Sequence, residues 1–159
     1  MGRNSLHLLA SQLRYEVVKM TYEAKAAHLA SSLSCIDIVT VLYERILRLD
    51  AKQPDSPDRD RFILSKGHAA AALYAILAHK GVIDESMLQT FGKKGSLFEE
   101  HPSPQIPGVE AATGSLGHGL PIGTGMALSA KIMNKEFRVF VLMSDGECNE
   151  GSVWEAAMF

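Results

Sequence analysis

An aspartate and a glycine follow directly on the most apolar stretch of the chain. Residues 137–143 have the sequence FRVFVLM, and Ser144, Asp145 and Gly146 come next. Continuous apolar and β-branched sequence is typical of a strand that is buried on both faces of a parallel sheet. Ligands of open α/β sheets bind at the carboxyl ends of such strands. Asp145 is therefore a candidate ligand for a hard cation, and Gly146 a candidate for close approach of the backbone to a phosphate.

The same two residues are also compatible with a simple turn. Asp-Gly is common where a strand ends, because both residues suit turn geometry. A magnesium ion needs several oxygen ligands and usually shares them with bound phosphates. Asp145 alone therefore predicts a cation site only in combination with a ligand such as a diphosphate.

A glycine-rich loop, residues 113–119 with the sequence TGSLGHG, is the second candidate site. Its glycines allow the main chain to pack against a planar or phosphorylated ligand. Gly117, Gly119 and Gly123 also resemble a loose dinucleotide-binding motif, which would imply a nicotinamide cofactor. Their spacing differs from that motif by one residue and no strand precedes them, so the sequence disfavours this alternative.

Three histidines are candidates for proton transfer or for hydrogen bonds to a polar ligand. His28 is predicted at the end of the first helix, His68 lies in a predicted strand-to-helix turn, and His101 precedes a proline in a long loop. Imidazole donates, accepts and shuttles protons near neutral pH. Taken singly, each is more typical of a surface or capping histidine. Their spacing disfavours a zinc site.

Helices predicted from apolar periodicity surround these residues. Apolar residues at steps of three and four predict one long helix over residues 6–29. Ser34 and Asp37 have the spacing of a capping box and predict that a second helix runs from there to about Leu49. Four further helical segments are predicted over residues 65–81 after an initial turn, 84–92, 119–134, and from about 152 onwards.

The remaining segments predict the fold class. Residues 61–64 form a second, short strand candidate that runs directly into a helix, so the sequence predicts an α/β fold with helices packed around a partial parallel sheet. Residues 92–119 hold six of the 13 glycines and three of the six prolines, and a loop this long is usually functional or disordered. Residues 154–159 begin an apolar helix without a stop signal, which predicts truncation of the domain at its C-terminus.

The composition is that of an ordinary globular domain. The chain has 159 residues, of which 47% are hydrophobic and 21% charged, enough for one core. Its net charge of −2 and the lack of a basic run disfavour nucleic acid or an anionic membrane as partner. No apolar stretch is long enough to span a bilayer. Two widely separated cysteines and the absence of a signal-peptide pattern predict a cytoplasmic location.

Four segments, taken together and in order, resemble the transketolase family. They are AKAAHLASSLSCIDIVTVLY, DRDRFILSKGHAAAALYAIL, HPSPQIPGVEAATGSLGHGLPIGTGMALSAK and VFVLMSDGECNEGSVWEAAM. Ser-Leu-Ser near His28 and the Gly-Ser-Leu-Gly-His-Gly loop are most similar to the smaller, N-terminal subunit of split transketolases. In those proteins the diphosphate-binding and pyrimidine-binding domains are separate chains. The resemblance implies that residues 1–159 are the N-terminal portion of a thiamine-diphosphate-binding domain.

The resemblance implies a cofactor site. Asp145 matches the family's magnesium ligand, where Ca²⁺ or Mn²⁺ can substitute, and Gly146 matches the glycine beside the diphosphate. Ser144 stands where that motif usually has its first glycine. The asparagine that completes the magnesium site in the family would lie beyond residue 159. The loop that contacts the cofactor rings in the family is matched by Gly114, Ser115 and Leu116.

The resemblance also implies catalytic roles. His68 matches a histidine that reaches the diphosphate and lies close to the reacting carbon. His28 and His101 match histidines that hydrogen-bond the oxygens of the sugar. Glu150 matches a glutamate at the interface between two diphosphate-binding domains.

The function implied is transfer of a two-carbon ketol unit from a ketose phosphate to an aldose phosphate, as in the pentose phosphate pathway, with thiamine diphosphate and Mg²⁺ as cofactors. The expected partners are a C-terminal transketolase subunit or domain and a second copy of the chain in a dimer. Because the partner domain supplies a glutamate that helps activate the cofactor, the isolated chain is expected to be inactive. Two alternatives remain. One is another thiamine-diphosphate enzyme, such as deoxyxylulose-phosphate synthase or a dehydrogenase E1 component, and the other is a non-catalytic remnant.

Overall fold

A computed structural model describes residues 3–159, which form five α-helices and two strands. The strands are β1 (Arg61–Leu64) and β2 (Val139–Leu142). The helices are α1 (Arg3–Ala24), α2 (Leu29–Val41), α3 (Ala70–His79), α4 (Gly119–Ile132) and α5 (Gly151–Met158). A π-helical turn over Leu42–Ile46 extends α2, and short 3₁₀ segments cover Gly67–Ala69, Glu85–Thr90 and Gly146–Asn149.

The two strands pair in parallel, with Arg61 opposite Val139 and Leu64 opposite Leu142. Parallel pairing places the carboxyl ends of both strands at the same edge of the sheet. The predicted α/β class with a partial parallel sheet is therefore confirmed. The prediction that β2 is buried on both faces is wrong, because all four of its residues are only half-buried. Helix α4 packs against β2. Within residues 3–159, β1 is the only strand that pairs with β2.

Helix α3 is the centre of the core. Its residues 70–77 are all buried, and α1 and α2 both pack against it. A helix that is apolar on every side is stable only when other elements surround it. The alanines in α3 have short side chains, which allows these neighbouring helices to approach closely. Helix α3 starts just after the turn that carries His68, so the core fixes the position of that turn.

The first predicted helix ends earlier than expected. Lys25 and His28 have φ values of 52° and 65°, and these left-handed conformations break the helix after Ala24. His28 consequently precedes α2 and does not end α1. The predicted capping box is also wrong, because α2 already begins at Leu29 and the Ser34 hydroxyl donates to the carbonyl of Ser31 inside the helix.

Other elements agree more closely with their predictions. Strand β1 has the predicted bounds, and α4 and α5 begin within a residue of the expected positions. The segment predicted as a helix over 84–92 is a 3₁₀ helix, and Asp84 caps it by accepting from the Ser86 amide at 2.8 Å. Within residues 3–159, no helix is long and apolar enough to cross a membrane.

A buried carboxylate fixes the amino ends of both strands. Asp60, whose side chain is fully buried, accepts hydrogen bonds from the backbone amides and guanidinium groups of Arg48 and Arg138. Burial opposes its ionisation, but the bonds from Arg138 and Arg48 outweigh burial and hold the pKa of Asp60 well below its usual range. This anchor leaves the opposite edge of the sheet, at the carboxyl ends of the strands, open for a ligand.

Candidate active site

A second buried carboxylate organises the carboxyl edge of the sheet. Glu147 is fully buried, and its Oε1 accepts a hydrogen bond from the Gly117 amide at 3.0 Å and another from the Ser65 hydroxyl. Its Oε2 accepts from the Ser144 amide at 2.8 Å and from the Ser144 hydroxyl at 3.3 Å. Ser65 directly follows β1, and Ser144 lies two residues beyond β2. Glu147 therefore joins the ends of both strands to the glycine-rich loop.

Glu147 is ionised in this position. Burial raises the pKa of its carboxyl, but hydrogen bonds from Ser65, from the amides of Ser144 and Gly117, and from the Ser144 hydroxyl outweigh burial and lower the pKa below its usual value. The sequence does not predict a role for this residue. Nothing in the segment SDGECNEG distinguishes Glu147 from the exposed Glu150, because only the tertiary contacts make one buried and the other exposed.

The glycine-rich loop packs directly on the turn that follows β1. Thr113 donates its hydroxyl to the Leu64 carbonyl at 2.6 Å, and the Gly119 amide donates to Ser65 Oγ at 3.2 Å. A Cβ on Gly67 would lie 2.5 Å from the Thr113 carbonyl oxygen, and a Cβ on Gly119 would lie 2.4 Å from both Cβ and Oγ of Ser65. These glycines are therefore needed for close packing.

The glycines that resembled a dinucleotide motif are likewise required for close packing. Gly123 lies where α4 crosses the sheet, and a Cβ there would be 2.5 Å from a methyl group of Val141. A Cβ on Gly117 would lie 2.5 Å from the Cβ of Glu150. Packing of α4 and the loop accounts for these residues without a nicotinamide cofactor.

The three candidate histidines come together although they are far apart in sequence. The ring centroid of His28 lies 5.5 Å from that of His68 and 6.0 Å from that of His101. Gly114 belongs to the same cluster, because a Cβ on this residue would lie 2.8 Å from Cδ2 of His101. We call His28, His68, His101 and Gly114 the histidine cluster. It lies beside the turn after β1, which carries His68.

Neighbouring groups keep His68 neutral and hold the cluster in place. Burial, together with the positive charge of Lys66 and the proximity of His28, lowers the pKa of His68. Lys66 is itself buried and donates to the Ser34 hydroxyl of α2 at 3.0 Å. The buried Tyr74 of α3 donates its hydroxyl to the His101 carbonyl at 3.1 Å. Helices α2 and α3 therefore both help to position the histidine cluster.

Asp145 and Gly146 lie on the surface just beyond β2. Within the part of the chain that the structure describes, no hydrogen bond or ion pair engages the Asp145 carboxylate, in contrast to Glu147 two residues later. An ideal Cβ built on Gly146 meets no atom within 4 Å, so the space beside it is open. An available carboxylate next to an open glycine backbone fits a cation that is shared with a phosphate.

The described residues do not form a closed metal cage. Residues 3–159 contain no group of three histidine, cysteine or acidic side chains that could hold a metal ion. One carboxylate suffices for Mg²⁺ only when phosphate oxygens and water supply the other ligands. The residues present therefore fit a diphosphate–magnesium pair but not a metal ion alone.

The other predicted site residues lie along the loop and at the start of α5. Ser115 and Leu116 are exposed, next to Gly114 of the histidine cluster. Glu150 is exposed immediately before α5 and packs against Gly117. A further residue beside the cluster, Glu100, is not predicted by any sequence motif. Its Oε2 lies 3.0 Å from Nδ1 of His28.

This architecture is that of an α/β domain with a candidate ligand site at the carboxyl ends of its parallel strands. A profile of the family described as "Transketolase, thiamine diphosphate binding domain" matches residues 6–159. The chain belongs to this family, and the predicted resemblance is confirmed.

Relatives and solved structures agree with this assignment. One subunit of the apulose-4-phosphate transketolase of Phocaeicola vulgatus is 44% identical over 154 residues, which are 97% of this chain and 55% of that protein. Transketolase-like protein 2 of Homo sapiens is 45% identical over 151 residues, 94% of this chain and 24% of that protein. The crystal structure of transketolase from Campylobacter jejuni matches with a TM-score of 0.92 and 33% identity, covering 98% of this chain and 26% of that one. The chain thus spans about half of the first relative and about a quarter of the others.

Proposed function

We propose that this chain supplies the diphosphate- and magnesium-binding half of a transketolase-type active site. The reaction would transfer a two-carbon ketol unit from a ketose phosphate to an aldose phosphate, as in the pentose phosphate pathway. One observation carries the proposal. The available carboxylate of Asp145 and the open backbone at Gly146 share a sheet edge with the neutral His68. Glu147 links the two sides of this edge through hydrogen bonds to Ser65 and Ser144.

Each residue of the half-site has a distinct task. Asp145 would bind Mg²⁺, or Ca²⁺ or Mn²⁺ in its place, and the backbone at Gly146 would approach the diphosphate. The loop residues that would contact the cofactor rings are Gly114, Ser115 and Leu116. Thiamine diphosphate, when bound, supplies the carbanion stabilisation that cleavage of a carbon–carbon bond requires.

The histidine cluster would bind the sugar substrate. His68 is neutral at physiological pH because its pKa is lowered, so it can exchange a proton with a substrate oxygen. His28 and His101 would form hydrogen bonds with hydroxyl groups of the substrate. The ring of His28 lies between the other two, with centroid distances of 5.5 Å to His68 and 6.0 Å to His101, so one substrate could contact all three.

The remaining half of the site would come from a partner subunit or domain. The relative from Phocaeicola vulgatus is one subunit of a transketolase, which supports a C-terminal transketolase subunit or domain as partner of this chain. Contact between two diphosphate-binding domains, with Glu150 at the interface, would give a homodimer. Exposed apolar side chains near α5, including Trp154 and Phe159 at 58% and 83% exposure, support burial of this surface in an assembly. We place the complex in the cytoplasm.

Calorimetric titration with thiamine diphosphate and Mg²⁺ tests the half-site. We expect binding to require Mg²⁺ and to weaken at least about tenfold in Asp145→Ala, because the substitution removes the carboxylate that would bind the cation. Asp55→Ala removes an exposed carboxylate of the polar loop and is expected to bind like the wild type. Equal affinity of the wild type and Asp145→Ala would overturn the assignment of Asp145.

A two-carbon transfer assay tests the division of the active site between chains. Residues 1–159 by themselves are expected to give no turnover of a ketose phosphate with an aldose phosphate acceptor, because the pyrimidine-binding half of the site would come from the partner subunit or domain. Addition of the C-terminal subunit should give turnover when the diphosphate-binding domain also includes the segment with the asparagine that completes the magnesium site. Activity of the isolated chain would contradict this division, and silence of the reconstituted complex would favour a non-catalytic remnant.

A further inference from the structure

The junction between α1 and α2 holds a histidine in an unfavourable backbone conformation. His28 has φ 65° and ψ 20°, in the left-handed region, and its side chain does not cap α2. Residues that carry a Cβ seldom adopt this conformation. Such residues persist where the surrounding structure fixes them, and they are concentrated at ligand sites. The contacts that fix His28 are therefore informative about its task.

One oxygen of Glu100 fixes this junction. Its Oε2 accepts a hydrogen bond from the Ala27 amide at 3.0 Å and lies 3.0 Å from Nδ1 of His28. An ionised carboxylate can only accept, so Nδ1 of His28 carries the proton in this contact. In the neutral ring the second nitrogen, Nε2, is then an acceptor.

That acceptor is available to a ligand. Within residues 3–159, no protein group is hydrogen-bonded to Nε2 of His28, whose ring packs against His68 and His101. The negative charge of Glu100 next to His28 disfavours an anionic group here. The chemistry of this end of the site therefore matches an uncharged hydroxyl group.

We propose that Glu100 is a positioning residue that fixes His28 as the Nδ1–H tautomer, so that Nε2 accepts a hydrogen bond from a hydroxyl of the substrate. The identity of this substrate as a sugar rests on the proposed function, whereas the tautomer does not. Stability alone does not account for the contact. The side chains of His28 and Glu100 are 42% and 37% exposed, and pairs this exposed contribute little to folding.

Nitrogen NMR of the histidine rings in the isolated chain tests the proposal, because the two nitrogens of each tautomer have distinct chemical shifts. The wild type is expected to hold His28 in the Nδ1–H form. In Glu100→Ala the ratio of tautomers should shift roughly tenfold toward Nε2–H, the change that corresponds to loss of one hydrogen bond to a charged group. Glu100→Gln should restore the wild-type form, since the carboxamide oxygen can accept from both donors.

Glu99→Ala is the matched control, because it removes the neighbouring exposed carboxylate and should leave the tautomer unchanged. An Nε2–H form in the wild type would overturn the proposal without any variant. A tautomer that is unchanged in folded Glu100→Ala, or that Glu100→Gln does not restore, would also overturn it. The measurement uses neither cofactor nor partner, so failure of the Asp145 titration would leave its result intact.

Discussion

Replacing Glu147 with alanine is expected to lower the free energy of unfolding by at least about 3 kcal/mol, because the change leaves several buried donors without an acceptor. These donors are the amides of Gly117 and Ser144 and the hydroxyl of Ser65. The ends of β1 and β2 and the glycine-rich loop would lose their common anchor. Urea unfolding followed by circular dichroism measures the loss.

A matched acidic residue provides the control. Glu155 is exposed on α5, and Glu155→Ala should change the free energy of unfolding by no more than about 0.5 kcal/mol. Equal stability of Glu147→Ala and Glu155→Ala would show that the buried network contributes nothing.

The same network has a defined pH dependence. The folded-state pKa of Glu147 lies below its unfolded value, so the ionised carboxylate stabilises the fold at neutral pH. This contribution is lost as the pH falls below about 4.3, the ordinary value for glutamate. Glu147→Gln keeps the shape of the side chain but not its charge. The variant should therefore have a lower free energy of unfolding than the wild type at neutral pH, and this difference should become smaller at acidic pH. Protonation of Asp60 also destabilises the fold at low pH, but it does so equally in the wild type and in Glu147→Gln. The difference in free energy of unfolding between the two proteins therefore does not include the effect of Asp60.

Replacing Gly119 with alanine is expected to destabilise the fold by about 3 kcal/mol, at the upper end of the cost of overpacking. The new Cβ would lie 2.4 Å from the Cβ of Ser65 and 2.8 Å from its Cα. A backbone atom cannot rotate away, so β1 and α4 must separate. For a chain of this length the melting temperature should fall by about 6–12 °C in a calorimetric scan.

Gly125 offers a control on the same helix. An ideal Cβ on Gly125 meets no atom within 4 Å, and it lies inside α4. Gly125→Ala should therefore raise the free energy of unfolding by about 0.5–1 kcal/mol, because alanine favours the helix. If Gly119→Ala and Gly125→Ala changed the free energy of unfolding in the same direction, close packing at Gly119 would be contradicted.

Much of the local structure could be predicted because its determinants lie close together in sequence. The apolar stretch before Asp145 predicted β2, and the alanine-rich segment after His68 predicted α3. The break after Ala24 could not be predicted, since residues 25–28 continue a good helical pattern. What separates α1 from α2 is a fold in which Glu100, more than 70 residues away, binds both Ala27 and His28.

The α/β class, the order of the elements and membership of the transketolase thiamine-diphosphate-binding family could all be predicted from the amino-acid sequence. These depend on apolar periodicity and on short motifs, which are properties of neighbouring residues. The clustering of three histidines that are distant in sequence, and the burial of Glu147 beside an exposed Glu150, became evident from the folded structure alone. Burial and hydrogen bonding depend on which side chains meet in space. The parallel pairing of β1 with β2, for example, brings Ser65 and Ser144 to the carboxylate of Glu147.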